Sequence, residues 1–267
     1  MITAAEKVRD MSAKRKASVT RLWLGVFGDS DEFISDFLAS TSSDGTDMTD
    51  SLTSYVTYTE DGEAASMLFR VPVTLAPCGK TPIKGGYIYA AATSPLYRGR
   101  GFFRTLMTLA EKDMSFTVLI PGKEELYAMY RSLGYDTELE TDFPFECDSR
   151  LLGRYKPFDG DWQSLYREYL RCAPECVPLR SLSIFRLALS EYDIIRFENG
   201  GYAAVSSENE NNCAIKVYEM YSPYRSFSDI IITSTKNEKP ERKRFGMMKK
   251  LDGLVGDIRP ELGLFLQ

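Results

Sequence analysis

The sequence predicts an α+β fold with helices packed on a central sheet, and three observations support this. Residues 54–59 and 65–75 alternate as two strands around the turn Glu60-Asp61-Gly62-Glu63. Residues 87–93 form a strand that leads through an Arg/Gly-rich segment into a helix. Residues 116–135 contain a short β-branched apolar run followed by a helical pattern.

The elements before the hairpin follow from hydrophobic periodicity. Apolar residues recur at helical spacing over residues 18–29. Ser30-Asp31-Glu32 has the composition of a capped helix start and predicts a second helix ending near Leu38. Residues 41–50 are rich in Ser, Thr, Asp and Gly and are expected to form a loop.

The segment Arg98-Gly99-Arg100-Gly101 predicts a pyrophosphate site between a strand and a helix. Glycines at 99 and 101 remove side chains where the backbone must approach an anion. The helix that starts after them presents unpaired N–H groups and the positive end of its dipole. Arg98 and Arg100 add charge and forked donors at the same place.

Two other phosphate loops do not fit the spacing. A dinucleotide-binding loop would need a third glycine at position 104, which is Arg104, and an acidic ribose partner after a second strand. A Walker loop would need glycine where Thr74 stands, five residues before Gly79-Lys80-Thr81. Pro77 and Pro82 flank that tripeptide, which we interpret as a hairpin turn.

A second strand and helix follow at a short distance. Residues 116–120 are apolar, and Pro121 ends the run. Glu124 and Glu125 then open a helix that Gly134 closes, as helix-dipole and C-cap chemistry favour.

These two segments resemble the conserved motifs of the GNAT acetyltransferases. Arg98-Gly99-Arg100-Gly101 is similar to the motif Arg/Gln-x-x-Gly-x-Gly/Ala, whose backbone amides hold the pyrophosphate of acetyl-coenzyme A. Phe103 departs from the small residue that is common there, and Phe102-Phe103-Arg104 resembles the version found in the branch of the enhanced intracellular survival (Eis) proteins. Leu119-Ile120-Pro121 with the helix ending Tyr-x-x-Leu-Gly-Tyr, from Tyr130 onward, resembles the second motif.

The resemblance covers roughly residues 1–145 and implies the GNAT acyl-CoA N-acyltransferase fold, with a central mixed, mostly antiparallel sheet. It implies that Tyr130 is the general acid, because the family's tyrosine stands four residues before the glycine. It also implies a set of residues that contact acetyl-CoA, namely Ala91, Ala92, Thr93, Arg98, Gly99, Arg100, Gly101, Phe102, Phe103 and Arg104.

The resemblance does not select a general base. Glu32 and Asp29 are candidates, and the terminal carboxylate of Gln267 is a third, since Eis-like proteins bring their C-terminus to the active site. A strand amide near residues 91–93 is expected to hold the oxyanion that forms during transfer.

The second half of the chain has weaker signals. Residues 161–171 and 181–190 predict helices, and three short runs at 193–197, 201–205 and 214–218 predict a strand meander. The meander has no Arg/Gly loop, and in Eis-like proteins the second domain is a degenerate GNAT copy that binds no coenzyme. We therefore predict a catalytic domain at residues 1–150 and a smaller GNAT-like α+β domain at residues 151–267.

Composition narrows the chemistry. A formal net charge of −5 argues against a nucleic-acid partner, and no apolar run approaches the length of a membrane span. The chain has no histidine, which excludes Ser-His and Cys-His machinery and histidine-ligated metal. Five irregularly spaced cysteines are expected to be reduced in the cytoplasm, without a metal.

The resulting prediction is an N-acetyltransferase that moves acetyl from acetyl-CoA to a primary amine by direct attack. The alternative is a CoA-binding regulatory module without turnover. The acceptor is a small molecule or peptide amine, for which a polyamine, an aminoglycoside-like sugar and a protein lysine remain open, and the chain is a candidate homo-oligomer.

Overall fold

The computed structural model describes residues 6–8, 12–39, 52–75, 81–141, 144–173, 179–207, 214–222 and 243–251. The chain divides into two compact units. Unit 1 comprises residues 1–74, 82–138 and 246–257, and unit 2 comprises residues 75–81, 139–245 and 258–267.

The described residues form six α-helices and thirteen β-strands. The helices are α1 (Ala13–Phe27), α2 (Asp31–Ala39), α3 (Phe102–Glu111), α4 (Glu125–Arg131), α5 (Trp162–Cys172) and α6 (Leu182–Leu189). The strands are β1 (Glu6–Val8), β2 (Thr53–Tyr58), β3 (Ala64–Leu75), β4 (Ile83–Thr93), β5 (Phe116–Leu119), β6 (Thr137–Thr141), β7 (Phe145–Asp148), β8 (Tyr155–Pro157), β9 (Leu179–Arg180), β10 (Asp193–Phe197), β11 (Tyr202–Ser207), β12 (Ala214–Tyr221) and β13 (Lys243–Lys250).

The first sheet is mixed. Its strands follow the order β1-β2-β3-β4-β5-β13-β6. β2 pairs antiparallel with β1 and β3, β13 pairs antiparallel with β5, and β4 pairs parallel with β5. The parallel pair requires a crossover, which α3 supplies between the two strands.

Helices cover both faces of this sheet. Consecutive strand residues point to opposite faces. Phe69 of β3 and Tyr89 of β4 contact the ring of Trp23, which is fully buried on α1. Their neighbours Leu68 and Ile88 belong instead to a buried cluster with the apolar residues of α3 and α4.

Unit 2 has its own antiparallel sheet in the order β7-β12-β11-β10-β8. One cluster contains Tyr202 with the aromatic residues Tyr169 of α5 and Phe185 of α6. The neighbouring residue Ala203 belongs to a second cluster with Val217, so this sheet also buries both of its faces.

A buried ion pair lies within unit 2. The guanidinium of Arg180 donates to both carboxylate oxygens of Glu219, at 2.7 and 2.8 Å. Tyr202 donates its hydroxyl to the same carboxylate, and the backbone N–H of Arg180 donates to the hydroxyl of Tyr169 at 3.1 Å. Both charges are therefore hydrogen-bonded, as burial of ions requires.

The element predictions and the structure agree for α1, α2, the β2–β3 hairpin, the strand-loop-helix segment and the meander, and the fold class is confirmed. The basic run Lys236, Lys239, Arg242, Lys243 and Arg244 predicts a solvated turn, but its last two residues begin β13. The other three lie outside the described residues. β13 belongs mainly to unit 1, where Met247 and Met248 are fully buried.

The division at residue 150 stays a prediction, and the two compact units divide the chain at different residues. The predicted loop at 41–50 lies outside the described residues.

Candidate active site

The Arg/Gly segment connects β4 to α3. After β4 ends at Thr93, Pro95–Tyr97 form one turn of 3₁₀-helix, and α3 begins at Phe102. Gly99 and Gly101 have φ angles of +74° and +80°, which L-amino acids other than glycine rarely adopt. A Cβ added at either position would have nothing within 4 Å. The backbone conformation requires glycine here, and the space beside the loop is open to a ligand.

Three arginines lie on the loop and the first turn of α3. Arg98, Arg100 and Arg104 are exposed. Arg98 Nε donates to the carbonyl oxygen of Thr93 at 3.3 Å, which fastens the loop to the end of β4. The Arg100 guanidinium lies 5.4 Å from the ring centroid of Tyr97. The positive charges therefore stand at the N-terminus of α3, where the helix dipole also favours an anion.

β4 extends beyond its parallel partner. The pairing of β4 with β5 ends at Ile88 and Leu119, where β5 itself ends, whereas β4 continues to Thr93. Two residues after the last pair, Ala90 has a φ of +46°, an uncommon conformation for a residue with a side chain. The backbone from Ala91 to Thr93 thus continues past β5 as the site of a candidate oxyanion donor.

Side-chain bonds hold the end of β4. Ser66 of β3 donates to the carbonyl oxygen of Ala92 at 3.1 Å, and its hydroxyl lies 2.8 Å from that of Thr93. Ala92 is buried, and the N–H of Ser94 donates to the carbonyl oxygen of Ala65. Because β3 fixes this edge, the strand end and the loop that follows it are positioned together.

Tyr130 lies near the C-terminus of α4 with 7% of its surface exposed. Its ring meets the ring of Phe103 edge-on at a centroid distance of 6.1 Å, and that of Tyr135 at 5.9 Å. Burial raises the pKa of Tyr130 to about 12, so the hydroxyl is neutral at physiological pH. Phe103 is the second residue of α3. A single side chain, that of Phe103, therefore links Tyr130 to the helix start that follows the Arg/Gly loop.

The end of α4 has the predicted C-cap chemistry. Gly134 has a φ of +93°, and the N–H groups of Leu133 and Tyr135 both donate to the carbonyl oxygen of Tyr130, at 2.9 and 3.1 Å. The turn that ends the helix therefore also fixes the backbone of Tyr130.

The base candidates differ in their surroundings. Asp29 accepts a 2.6 Å hydrogen bond from the indole N–H of Trp23, which gives this carboxylate a structural role at the end of α1. Glu32 is exposed in the first turn of α2, where it complements the helix dipole. Gln267 lies outside the described residues.

Sequence reasoning missed the conformation of Ala90 and the contact of Phe103 with Tyr130. An alanine carries no local signal for a positive φ, and the Phe103 contact depends on the packing of α3 against α4.

No group of three or more His, Cys, Asp or Glu side chains in the described ranges is arranged to hold a metal ion. None of the helices that the structure describes has the length and apolarity needed to cross a membrane.

Comparison with known families identifies the domain that holds these elements. Residues 7–137 match the family model of the acetyltransferase (GNAT) domain. This stretch contains β4, the Arg/Gly loop, α3, β5 and α4, and the chain therefore contains a GNAT acetyltransferase domain. No curated protein matches the sequence.

Solved structures share the fold over nearly the whole chain. A conserved protein from Enterococcus faecalis V583, described as a probable N-acyltransferase, matches with a TM-score of 0.66 at 15% identity, over 94% of this chain and 73% of its own. Eis1 from Mycobacterium abscessus matches with a TM-score of 0.65 at 11% identity, over 94% and 74%. A GCN5-related N-acetyltransferase from Kribbella flavida matches with a TM-score of 0.63 at 15% identity, over 93% and 72%. At these identities the likeness shows a common fold.

Proposed function

We propose that the protein transfers acetyl from acetyl-CoA to a primary amine by direct attack, with the coenzyme bound at the Arg/Gly loop. The observation that carries the proposal is the contact between Phe103 and Tyr130. It places Tyr130, which is 7% exposed, against the helix whose N-terminus is expected to bind the pyrophosphate, and this supports a coenzyme that binds at that helix start and reaches Tyr130 with its acyl arm.

The coenzyme would be held by backbone as well as side chains. Its pyrophosphate would accept hydrogen bonds from the first N–H groups of α3, which have no partner inside the helix. Arg98, Arg100 and Arg104 would add charge-assisted contacts. The acyl arm would follow the part of β4 that extends past β5, with an amide between Ala91 and Thr93 donating to the thioester oxygen.

The reaction then needs three steps. The acceptor ammonium, with a pKa near 10.4, first loses a proton to water or a carboxylate. Its nitrogen attacks the thioester carbonyl, and the strand amide stabilises the oxyanion. When the tetrahedral intermediate collapses, the carbon–sulfur bond breaks and the thiolate leaves next to Tyr130.

The pKa of Tyr130 limits how that thiolate is neutralised. A thiol has an ordinary pKa of about 8.5, and Tyr130 has a pKa of about 12. Complete transfer from the phenol would cost roughly 5 kcal/mol, which is about 3.5 pKa units at 1.36 kcal/mol each. Tyr130 therefore donates a hydrogen bond to the sulfur as charge develops. Its proton passes to the sulfur only in concert with the return of the proton that the acceptor nitrogen releases, so that a free phenolate does not form.

The acceptor belongs to the class of primary amines that are cationic before reaction. The acidic balance of the chain, with a net charge of −5, favours such acceptors in the encounter. Polyamines, aminoglycoside-like sugars and protein lysines all meet this description.

The test is an acetylation screen with acetyl-CoA and a library of amines from these three groups, read by release of free thiol. We expect at least one amine to accelerate thiol release and to gain one acetyl group by mass spectrometry. Coenzyme binding without thiol release for any amine would instead support the alternative of a non-catalytic CoA-binding module.

A further inference from the structure

The ring of Tyr130 lies against two aromatic rings from different directions. Phe103 contacts it from the first turn of α3, and Tyr135 contacts it from just beyond α4. Phe103 belongs to the loop region already described, whereas Tyr135 takes no part in the proposed reaction. The position of Tyr135 therefore helps to determine where the hydroxyl of Tyr130 can lie.

Tyr135 is held by two hydrogen bonds inside unit 1. Its hydroxyl lies 2.8 Å from Thr117 Oγ1 on β5 and 3.4 Å from Glu111 Oε1 at the end of α3. Both Tyr135 and Thr117 are fully buried. The side chain of Tyr135 is thus packed between α3, β5 and the end of α4.

Lys249 of β13 completes this arrangement. Its Nζ donates to Glu111 Oε2 at 2.7 Å, in a pair whose side chains are only 24% and 11% exposed. The same Nζ lies 6.0 Å from the ring centroid of Tyr135. Lys249 pairs with Thr117 in the β13–β5 register. This register therefore places Lys249 beside Thr117, Glu111 and Tyr135.

Lys249 also lies against the turn that ends α4. A Cβ added at Gly134 would come within 3.2 Å of Lys249 Cε. That turn carries the two N–H donors to the carbonyl oxygen of Tyr130. Lys249 therefore lies against three groups that hold Tyr130 in place: the carboxylate of Glu111, the ring of Tyr135 and the turn at Gly134.

We propose that Lys249 is a positioning residue for Tyr130, acting through Glu111 and Tyr135 to hold the phenol in line with the departing sulfur. The inference rests on the proposed function of Tyr130. Its physical basis is that the largely buried carboxylate of Glu111 needs a cation, and without one it is drawn toward solvent and releases the hydroxyl of Tyr135. Catalysis is sensitive to such a displacement, since a shift of about 1 Å in a reacting group can cost on the order of 10²-fold in rate.

The experiment compares Lys249→Met, Lys249→Arg and Lys250→Met in acetyl-CoA-dependent thiol release, with spermidine, kanamycin or an amino-terminally blocked lysine peptide as the acceptor probe. Lys250 is the exposed neighbour on the same strand. We expect Lys249→Met to lower kcat by about tenfold while KM for acetyl-CoA changes by less than about twofold, because only an interaction of the transition state is lost. Lys249→Arg should restore most of kcat, and Lys250→Met should match the parent.

A double-mutant cycle separates positioning from general stability. Because Lys249 acts through Tyr130, Lys249→Met should lower kcat little or not at all when Tyr130 is already Phe. If Lys249→Met does not fold, Tyr135→Phe replaces it, since that variant keeps the ring and removes only the hydroxyl bonds, and the same loss of kcat is expected.

The outcomes are distinguishable. Parental kcat in Lys249→Met and Tyr135→Phe, together with a low kcat in Tyr130→Phe, overturns the role of Lys249 alone. An equal loss in the presence and absence of the Tyr130 hydroxyl also overturns it, because Lys249 would then act elsewhere. Parental kcat in Tyr130→Phe overturns both this inference and the assignment of the acid.

Discussion

Tyr130 combines an apolar ring contact with a neutral hydroxyl. Its ring is part of the apolar cluster formed by α3, α4 and the first sheet, and burial raises the pKa of its hydroxyl from the ordinary 10.0 to about 12. A neutral hydroxyl is a hydrogen-bond donor that a departing thiolate can use. The residue is therefore expected to affect the chemical step more than coenzyme binding.

Replacement of Tyr130 by Phe tests this expectation. The ring packing is kept and only the donor is lost, so kcat should fall by on the order of 10²-fold while the affinity for acetyl-CoA persists. Tyr127→Phe is the matched control, because Tyr127 lies on the same helix with the same exposed fraction of 7%. Steady-state kinetics in which both variants equal the parent would make Tyr130 a packing residue.

The raised pKa of Tyr130 can be measured separately. In a tyrosinate titration followed by near-ultraviolet absorbance, the difference between the parent and Tyr130→Phe should have its midpoint at about 12 rather than at the ordinary 10.0. The folded protein holds this proton more tightly than the unfolded chain does. The contribution of Tyr130 to the free energy of unfolding is therefore fully present below about pH 10 and is lost as the pH rises to about 12. A midpoint near 10 would show that the hydroxyl is solvated.

At the scale of elements, the site depends on the point where β4 and β5 stop pairing. α3 and α4 follow these two strands and bring the Arg/Gly loop and Tyr130 together. β13 lies on the other side of β5 and buries Met247 opposite Leu119. A strand from the end of the chain thus supports the strand that precedes the helix of Tyr130.

Met247→Ala tests the contribution of β13. Removing this fully buried side chain should lower the free energy of unfolding by about 2–5 kcal/mol, because it leaves a cavity in the apolar cluster of the first sheet. Leu170→Ala, at an exposed position on α5, should cause a much smaller change. Equal denaturant midpoints for Met247→Ala and the parent would mean that β13 does not pack against β5.

Local sequence signals predicted the elements that carry the site and missed those that depend on distant partners. Glycines with positive φ, capping residues and short apolar runs are local, so the loop and the start and end of α4 could be predicted. β13 is a basic segment with a few apolar residues, and only its pairing with β5, well over a hundred residues earlier, makes it a strand. The contacts of Lys249 and Glu111 follow from that pairing and left no pattern in the sequence.

At the scale of the whole molecule, each unit has a buried apolar cluster of its own. The Arg/Gly loop and Tyr130 both belong to unit 1. Unit 2 contains the buried pair of Arg180 and Glu219 in a network of aromatic rings. We expect changes in this pair to affect stability and to leave the coenzyme affinity unchanged.

Glu219→Gln is the corresponding variant. It leaves the Arg180 charge buried without its counter-ion, which should lower the free energy of unfolding by about 3–5 kcal/mol. Glu63→Gln, in the exposed pair with Arg21, should have little effect. Chemical denaturation that shows similar small changes for both variants would mean that the pair in unit 2 is solvated.

Calorimetry of acetyl-CoA binding to Gly101→Glu is the decisive measurement for coenzyme binding at the start of α3. The substitution places a carboxylate where the pyrophosphate is expected, so we expect at least about a hundredfold loss of affinity, or roughly 2.7 kcal/mol. Gly28→Glu is the matched control, because Gly28 has nearly the same φ, +78° against +80°, and equally open space, at the end of α1. We expect parental affinity for that control, whereas parental affinity in Gly101→Glu would show that the coenzyme does not bind at the start of α3.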